Sequence, residues 1–403
     1  MERNLVLGVD AGSANVVATV AEIAGGEPQV IGVGLVPSAG VHRGVVVDVK
    51  AAGGVIRQAV EKACQMADCS GVNRAVVSVS GAHILSLVGS AEVPVHRPLT
   101  GVAPEDVRRA LDAAAAVELP AGREVIHVAA RSYRLDGNGP MRDPLGLAGR
   151  NLEAEAQLVT GEALPIQNHL RAVRETGLEV VDYQVAVRAA GEAVLTDRER
   201  EEGVLLLEIG GGTTGVAVYE RGHLFHVAVL PLGGEHITHD IAAVLRVPVA
   251  TAEQLKRERG WADPALVPDS TFELVSPSGR KVREVSDKKL AEIIGSRVEE
   301  ILQMAAVSVR RSGYGGIFPA GVVLTGGSSR LSGLMEVAAD GLSLPARIGV
   351  ARGPLVAEPE LATAAGLVWW GAHLAREEAA ATQETVTQDR FGRIRDWLKA
   401  LFH

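Results

Sequence analysis

Apolar positions along this chain recur in two rhythms. Short, nearly continuous runs such as "NLVLGVDA" at 4–11, "RAVVSVSG" at 74–81 and "VLLLEIG" at 204–210 predict strands. Longer stretches such as "KAAGGVIRQAVEKACQMA" at 50–67 and "GGEHITHDIAAVL" at 233–245 space their apolar residues three and four apart and predict helices.

The strand pattern repeats. "LVLGVDAGSANVVATVAE" at 5–22 aligns with "VLLLEIGGGTTGVAVYE" at 204–220, placing Asp10 opposite Glu208 and Gly12 opposite Gly210. Each copy is an apolar strand ending in an acid, a turn of small residues, and a second strand returning as a hairpin. Each continues with another strand (27–36 and 223–232), then a helix, and later a strand running into a glycine turn, "RAVVSVSGAHI" at 74–84 and "AGVVLTGGSSRL" at 320–331. Two related lobes facing one another follow from this duplication. Residues 82–161 interrupt the first copy without a counterpart in the second. They hold β-like runs and one helix, "APEDVRRALDAAAAV" at 103–117, opened by a proline and two acids.

Composition narrows the class. With 403 residues, 47% hydrophobic content, 46 glycines and only four Trp, four Tyr and five Phe, the core must be built from Val, Ala, Leu and Ile, as in α/β folds of two or three domains. A net charge of −9 argues against general nucleic-acid binding, which needs a basic surface to displace counterions. Cys64 and Cys69 match no metal spacing and read as reduced structural thiols of a cytosolic protein. The N-terminus reads as a strand entering a turn, not as a signal peptide. No run reaches the 18 apolar residues a membrane span requires, and "LATAAGLVWWGAHLA" at 361–375 reads as a buried helix.

Turns of Gly, Ser and Thr at strand ends present backbone N–H groups and hydroxyls to phosphate oxygens. Neither turn fits the P-loop or the dinucleotide fingerprint, and each leads into a strand rather than a helix, which disfavours both those classes. One glycine hairpin alone is more often just a tight turn; three in duplicated order favour a phosphate cradle. Asp10 and Glu208 suit a hydrated Mg²⁺ between the lobes, since that ion keeps several waters and takes one or two carboxylates.

"VDAGSAN", "EIGGGTTG" and "VVLTGGSSRLSGL" at 322–334 resemble the phosphate-1, phosphate-2 and adenosine motifs of the actin-like ATPase superfamily. Within it, segments at 31–49, 75–84, 125–137, 143–160 and 252–260 resemble the FtsA family of bacterial cell-division proteins. The resemblance implies an actin-like, two-lobed α/β fold of duplicated ribonuclease-H-like cores. Subdomain 1A would take residues 1–81 and 162–191, an inserted 1C 82–161, 2A 192–232 and 313–375, and 2B 233–312.

It further implies ATP with Mg²⁺ in the cleft, the metal beside Asp10 and Glu208. Gly12, Ser13, Ala14 and Asn15 would face the phosphates from one lobe, and Gly210, Gly211, Gly212, Thr213 and Thr214 from the other. Gly326, Gly327 and Ser328 would border the nucleoside, with Glu253 and Lys256 above adenine and ribose. Two residues depart from the family pattern. Asn15 stands where Lys or Arg is usual, removing a contact typically worth about 1.5–3 kcal/mol, and Glu208 replaces the usual Asp. Both point to weak or absent hydrolysis, and no residue offers itself as a catalytic base.

The chain closes on "RFGRIRDWLKALFH" at 390–403, after a polar linker at 376–389. At 100° per residue, Phe391, Ile394, Trp397, Leu398, Leu401 and Phe402 share an arc of about 140°, with Arg393 and Lys399 opposite and Arg395 at its boundary. Four cations against one acid, with Trp and Phe at the polar–apolar border, predict an amphipathic helix for an anionic membrane surface rather than one docked on the protein's own core.

The resemblance agrees, and implies a protein that self-assembles and tethers the tubulin-like FtsZ to the cytoplasmic face of the cell membrane at the division site, with later division proteins as partners of 1C. Two alternatives from the same superfamily are a PilM-like pilus scaffold, expected to lack the tail, and a sugar-kinase-type phosphotransferase, which needs an acidic base in the cleft.

Overall fold

The duplication read from the apolar runs is realised strand for strand in the structure, a computed structural model that describes residues 3–24, 27–275 and 281–376. In the first lobe β1 (Leu5–Ala11), β2 (Asn15–Ala24) and β3 (Glu27–Pro37) form an antiparallel meander. A small hairpin of β4 (Val41–His42) and β5 (Val45–Val46) leads to α1 (Val49–Met66) and β6 (Arg74–Val79). The chain then builds the inserted unit from β7 (Leu85–Pro94), α2 (Pro104–Ala115), β8 (Arg123–Leu135), β9 (Asn138–Met141) and β10 (Asn151–Glu162). It returns through α3 (Ala163–Arg174) to β11 (Glu179–Val185), and α4 (Ala186–Val194) carries it to the second lobe.

After the short α5 (Asp197–Glu202) the plan begins again with β12 (Val204–Ile209), β13 (Thr214–Glu220), β14 (His223–Leu230) and α6 (Gly234–Leu245). Next come α7 (Val249–Arg259), a hairpin of β15 (Thr271–Val275) and β16 (Lys281–Ser286), and α8 (Asp287–Arg311). The lobe closes with β17 (Val322–Thr325), α9 (Leu334–Leu342) and β18 (Ala346–Ile348), and a final helix, α10, covers 362–376.

The two five-stranded sheets have the same order, β3-β2-β1-β6-β11 and β14-β13-β12-β17-β18. In both, the first three strands are antiparallel and the next two run parallel to the first. Such a pattern leaves the ends of β1 and β12, and hence the residues after them, facing the space between the lobes.

Local chemistry explains the helices that matter most. Asp48 caps α1 by accepting from the amides of Lys50 and Ala51. The helix buries Ile56 and four small residues, Ala52, Gly53, Ala59 and Ala63. It lies so close to β3 that a Cβ on Gly34 would sit 1.9 Å from the Ala59 carbonyl oxygen. The stretch expected to be a buried helix is α10, whose residues 362–368 are all buried, and it crosses α4 between the lobes. There a Cβ on Gly366 would fall 1.7 Å from the Ala189 carbonyl.

The inserted unit is an antiparallel sheet of order β7-β10-β8-β9 with α2 on one face and its own core of Ala110, Ala114, Leu152, Ala154 and Leu158. It touches both lobes. Tyr183 of β11 ties it to the first, donating its hydroxyl to Glu124 of β8 at 2.9 Å. Ser86 of β7 joins it to the second, donating to the Val227 carbonyl at 2.5 Å and accepting from the Val227 amide at 2.8 Å.

Candidate functional site

The penultimate residues of β1 and β12 are the acids Asp10 and Glu208, and each points from its strand into the floor of the interlobe cleft. Each is steadied by a hydroxyl: Ser78 of β6 donates to Asp10 at 2.5 Å, and Thr363 at the start of α10 donates to Glu208. Desolvation raises Asp10 to about 6. Desolvation, reinforced by the Asp10 charge, raises Glu208 to about 8. Two desolvated carboxylates that repel one another are a place where a cation is favourable.

Beyond the acids the two turns meet. A Cβ on Gly211 would lie 2.7 Å from the Ala14 Cβ, and one on Gly212 would lie 2.6 Å from the Ser13 Oγ. Glycine at 211 and 212 is therefore what lets the cradles approach. Ser80 and Thr213 face one another across the same gap, their hydroxyls 3.4 Å apart. Gly210 closes its own turn by donating to the Thr213 carbonyl at 2.9 Å. Gly12 is equally tight, its missing Cβ 2.9 Å from the Asn15 carbonyl.

Thr214, by contrast, is fully buried and gives its hydroxyl to the Leu232 carbonyl at 2.8 Å, so it serves the cradle through its backbone alone.

The second turn is fixed from behind. The Gly210 carbonyl accepts from the Gly234 amide at 2.9 Å and from the Ser328 hydroxyl at 3.0 Å, and the Gly211 carbonyl accepts from Glu235 at 2.8 Å. The N-terminus of α6 and the 326–330 turn are thereby pinned to the second turn. Gly326 takes a φ of +84° where β17 ends, close against the backbone of Ile209, and Gly327 follows beside Glu360.

Lys256 of α7 reaches back to the Gly234 carbonyl (3.0 Å) and the Thr238 hydroxyl (2.8 Å) and pairs with Glu253 at 2.7 Å. Burial works against the charged Glu253, but hydrogen bonds from Lys256 and Thr238 hold its carboxyl below the ordinary value.

The structure thus gathers the residues singled out from sequence around one cleft: both acids, both turns, the 326–328 turn, Glu253 and Lys256. It also brings in residues that sequence reasoning missed, namely Ser78, Ser80, Thr238 and Thr363. Their only signal was a hydroxyl inside an otherwise apolar or helical run.

Among the described residues no cluster of three or more His, Cys, Asp or Glu is present. Cys64 and Cys69 are free, and burial pushes the Cys64 thiol up to about 11, which leaves it unreactive. Of the linker expected at 376–389, residue 376 is the last of α10; the rest of it and the tail residues Phe391, Arg393, Ile394, Arg395, Trp397, Leu398, Lys399, Leu401 and Phe402 lie outside the described residues. No helix among the described residues is long and apolar enough to cross a membrane.

Comparison with known proteins fits this geometry. The family model "Cell division protein FtsA" matches residues 205–366, and "SHS2 domain inserted in FTSA" matches 81–160, the inserted unit. The cell division protein FtsA of Pseudomonas aeruginosa is 38% identical over 374 residues, covering 91% of this chain and 89% of that protein. This chain belongs to the FtsA family.

The Bacillus subtilis member is 34% identical, covering 93% of this chain and 85% of that protein. The Escherichia coli K12 member is 32% identical, covering 99% and 97%. Among solved structures, a PilM-PilN type IV pilus biogenesis complex superposes with a TM-score of 0.64 at 18% identity, covering 92% of this chain and 99% of that one. MreB 5 of Spiroplasma citri bound to AMPPNP superposes with a TM-score of 0.56 at 14% identity, covering 94% and 100%. At such identities these structures show the fold, which is actin-like.

Proposed function

We propose that this FtsA-family protein binds ATP with Mg²⁺ in the interlobe cleft, self-assembles, and tethers FtsZ to the cytoplasmic face of the cell membrane at the division site. The observation that carries the nucleotide reading is the contact between the two duplicated turns directly above the paired carboxylates. The residues fit the ligand. The turns can close only on glycine, and the acids beneath them are desolvated and mutually repelling, an arrangement a divalent cation stabilises. Asp10 and Glu208 would hold the ion through its waters, and Gly12, Ser13, Ala14, Asn15 and Gly210 to Thr214 would line the phosphates. Gly326, Gly327, Ser328, Glu253 and Lys256 would border the nucleoside. The ion, when bound, supplies positive charge against the phosphates and both acids.

That MreB 5 was captured with AMPPNP in the same fold supports a nucleotide here. Asn15 and Glu208 argue for slow or absent turnover, with ATP acting mainly to close the cleft.

The chain divides in this reading into subdomains 1A (1–81, 162–191), 1C (82–161), 2A (192–232, 313–375) and 2B (233–312), with the FtsZ-contacting surface on 2B. The membrane foot is residues 390–403. The alignment with the Escherichia coli protein covers 99% of this chain. Each cation near an anionic leaflet adds about 1 kcal/mol. One foot therefore binds reversibly, and an assembly of many binds firmly.

Pelleting with anionic liposomes, with FtsZ, ATP and the tail varied together, tests the proposal. The intact chain should carry FtsZ to the vesicles, and a chain ending at Arg376 should leave both in solution. Equal pelleting of the two chains would overturn the anchoring role.

A further inference from the structure

The first cradle lacks the cation expected at position 15, and the fold brings another to the same place. The β4–β5 hairpin turns at Arg43 and Gly44, both with left-handed backbones at φ +47° and +77°. Its tip is wedged between the two cradles. The Gly44 amide donates to the Ser13 Oγ at 2.9 Å, and the Arg43 Cα lies 3.0 Å from where a Cβ on Gly212 would be. Behind it, a Cβ on Gly44 would meet the Gly81 amide nitrogen at 2.8 Å.

A left-handed backbone costs an arginine conformational energy that glycine would avoid. The Arg43 side chain is exposed, and among the described residues it makes no ion pair or hydrogen bond that would compensate. Its charge is nonetheless felt across the cleft. Burial and then the Arg43 charge lower the proton affinity of His236, in the first turn of α6. The acid on that side is Glu235, with an oxygen 3.0 Å from the Cβ position of Gly211.

We infer that Arg43 is the phosphate-contacting cation of this cleft, delivered from the β4–β5 hairpin to the phosphates of a nucleoside triphosphate in place of the missing charge at Asn15. The inference rests on the nucleotide reading proposed above. An arginine that only latched the lobes together through Glu235 would affect every ligand of the cleft alike. A phosphate contact affects only ligands that carry phosphates.

The test is calorimetric titration of the full-length protein, with Mg²⁺, by ATP, ADP and adenosine. The informative variant is Arg43→Gly, which suits the left-handed backbone and so keeps the hairpin folded; its melting temperature should equal or exceed that of the parent. ATP affinity should fall by about 10–100-fold, the range of one charge-assisted hydrogen bond. Adenosine affinity should hold within about twofold, and adding Asn15→Lys to Arg43→Gly should recover part of the ATP affinity.

Unchanged ATP affinity in Arg43→Gly overturns the inference, as does an equal loss for ATP and adenosine. If the parent protein binds adenosine and ATP equally well, or neither, the nucleotide reading falls first and Arg43 with it.

Discussion

The paired acids make the cleft sensitive to pH. Asp10 and Glu208 rise from ordinary values of 3.8 and 4.5 to about 6 and about 8, chiefly through desolvation. Between about pH 4 and 8 the native state therefore holds protons that the unfolded chain has released. Stability from these groups is greatest below about pH 4 and is lost as pH rises through their folded values. Thermal melting without metal or nucleotide should fall in temperature from pH 5 to 8. Glu208→Gln, which has no proton to lose, should flatten that slope; an unchanged slope would show that other groups govern it.

The two acids were legible as a pair because the repeat set one opposite the other. Ser78 and Thr363 were not, since a lone hydroxyl in an apolar run says nothing about which distant carboxylate it will meet.

Among the elements, the crossing of α4 and α10 is decided by a single missing methyl group. Gly366→Ala would place a carbon well inside contact distance of the Ala189 carbonyl and push the helices apart. Overpacking of that kind costs about 1–3 kcal/mol, which urea unfolding should register as a lower midpoint.

In the inserted unit, Asp106 is buried and accepts from the His96 and Ala103 amides (both 3.1 Å) and from Arg109 at 2.6 Å. Asp106→Ala strands those donors and should destabilise the unit by about 2–4 kcal/mol. Hydrogen exchange should show the loss first in α2 and β7, ahead of the lobes.

Strands and helices of both copies were readable from periodicity, and the insertion was readable as the stretch that broke the repeat. The close seating of α1 on β3 was not, because Gly32 and Gly34 in a strand pattern can equally mark a bulge, a bend or a close neighbour.

For the molecule as a whole, the insertion is more than an appendage to the first lobe. In an ordinary five-stranded sheet of this order the outermost strand would show an unpaired row of amides and carbonyls to any passing chain. On the second lobe that strand is β14, and Ser86 of the insertion occupies both the amide and the carbonyl of Val227 with one hydroxyl. Nearby, the Arg131 guanidinium lies 3.7 Å from the centre of the Phe225 ring. Removing residues 82–161 would thus unshield a sheet edge. The truncated protein should form β-rich aggregates that bind amyloid dyes, at concentrations where the parent and Ser86→Ala stay dispersed. Loss of function on deleting this unit would then reflect stickiness as much as a lost contact.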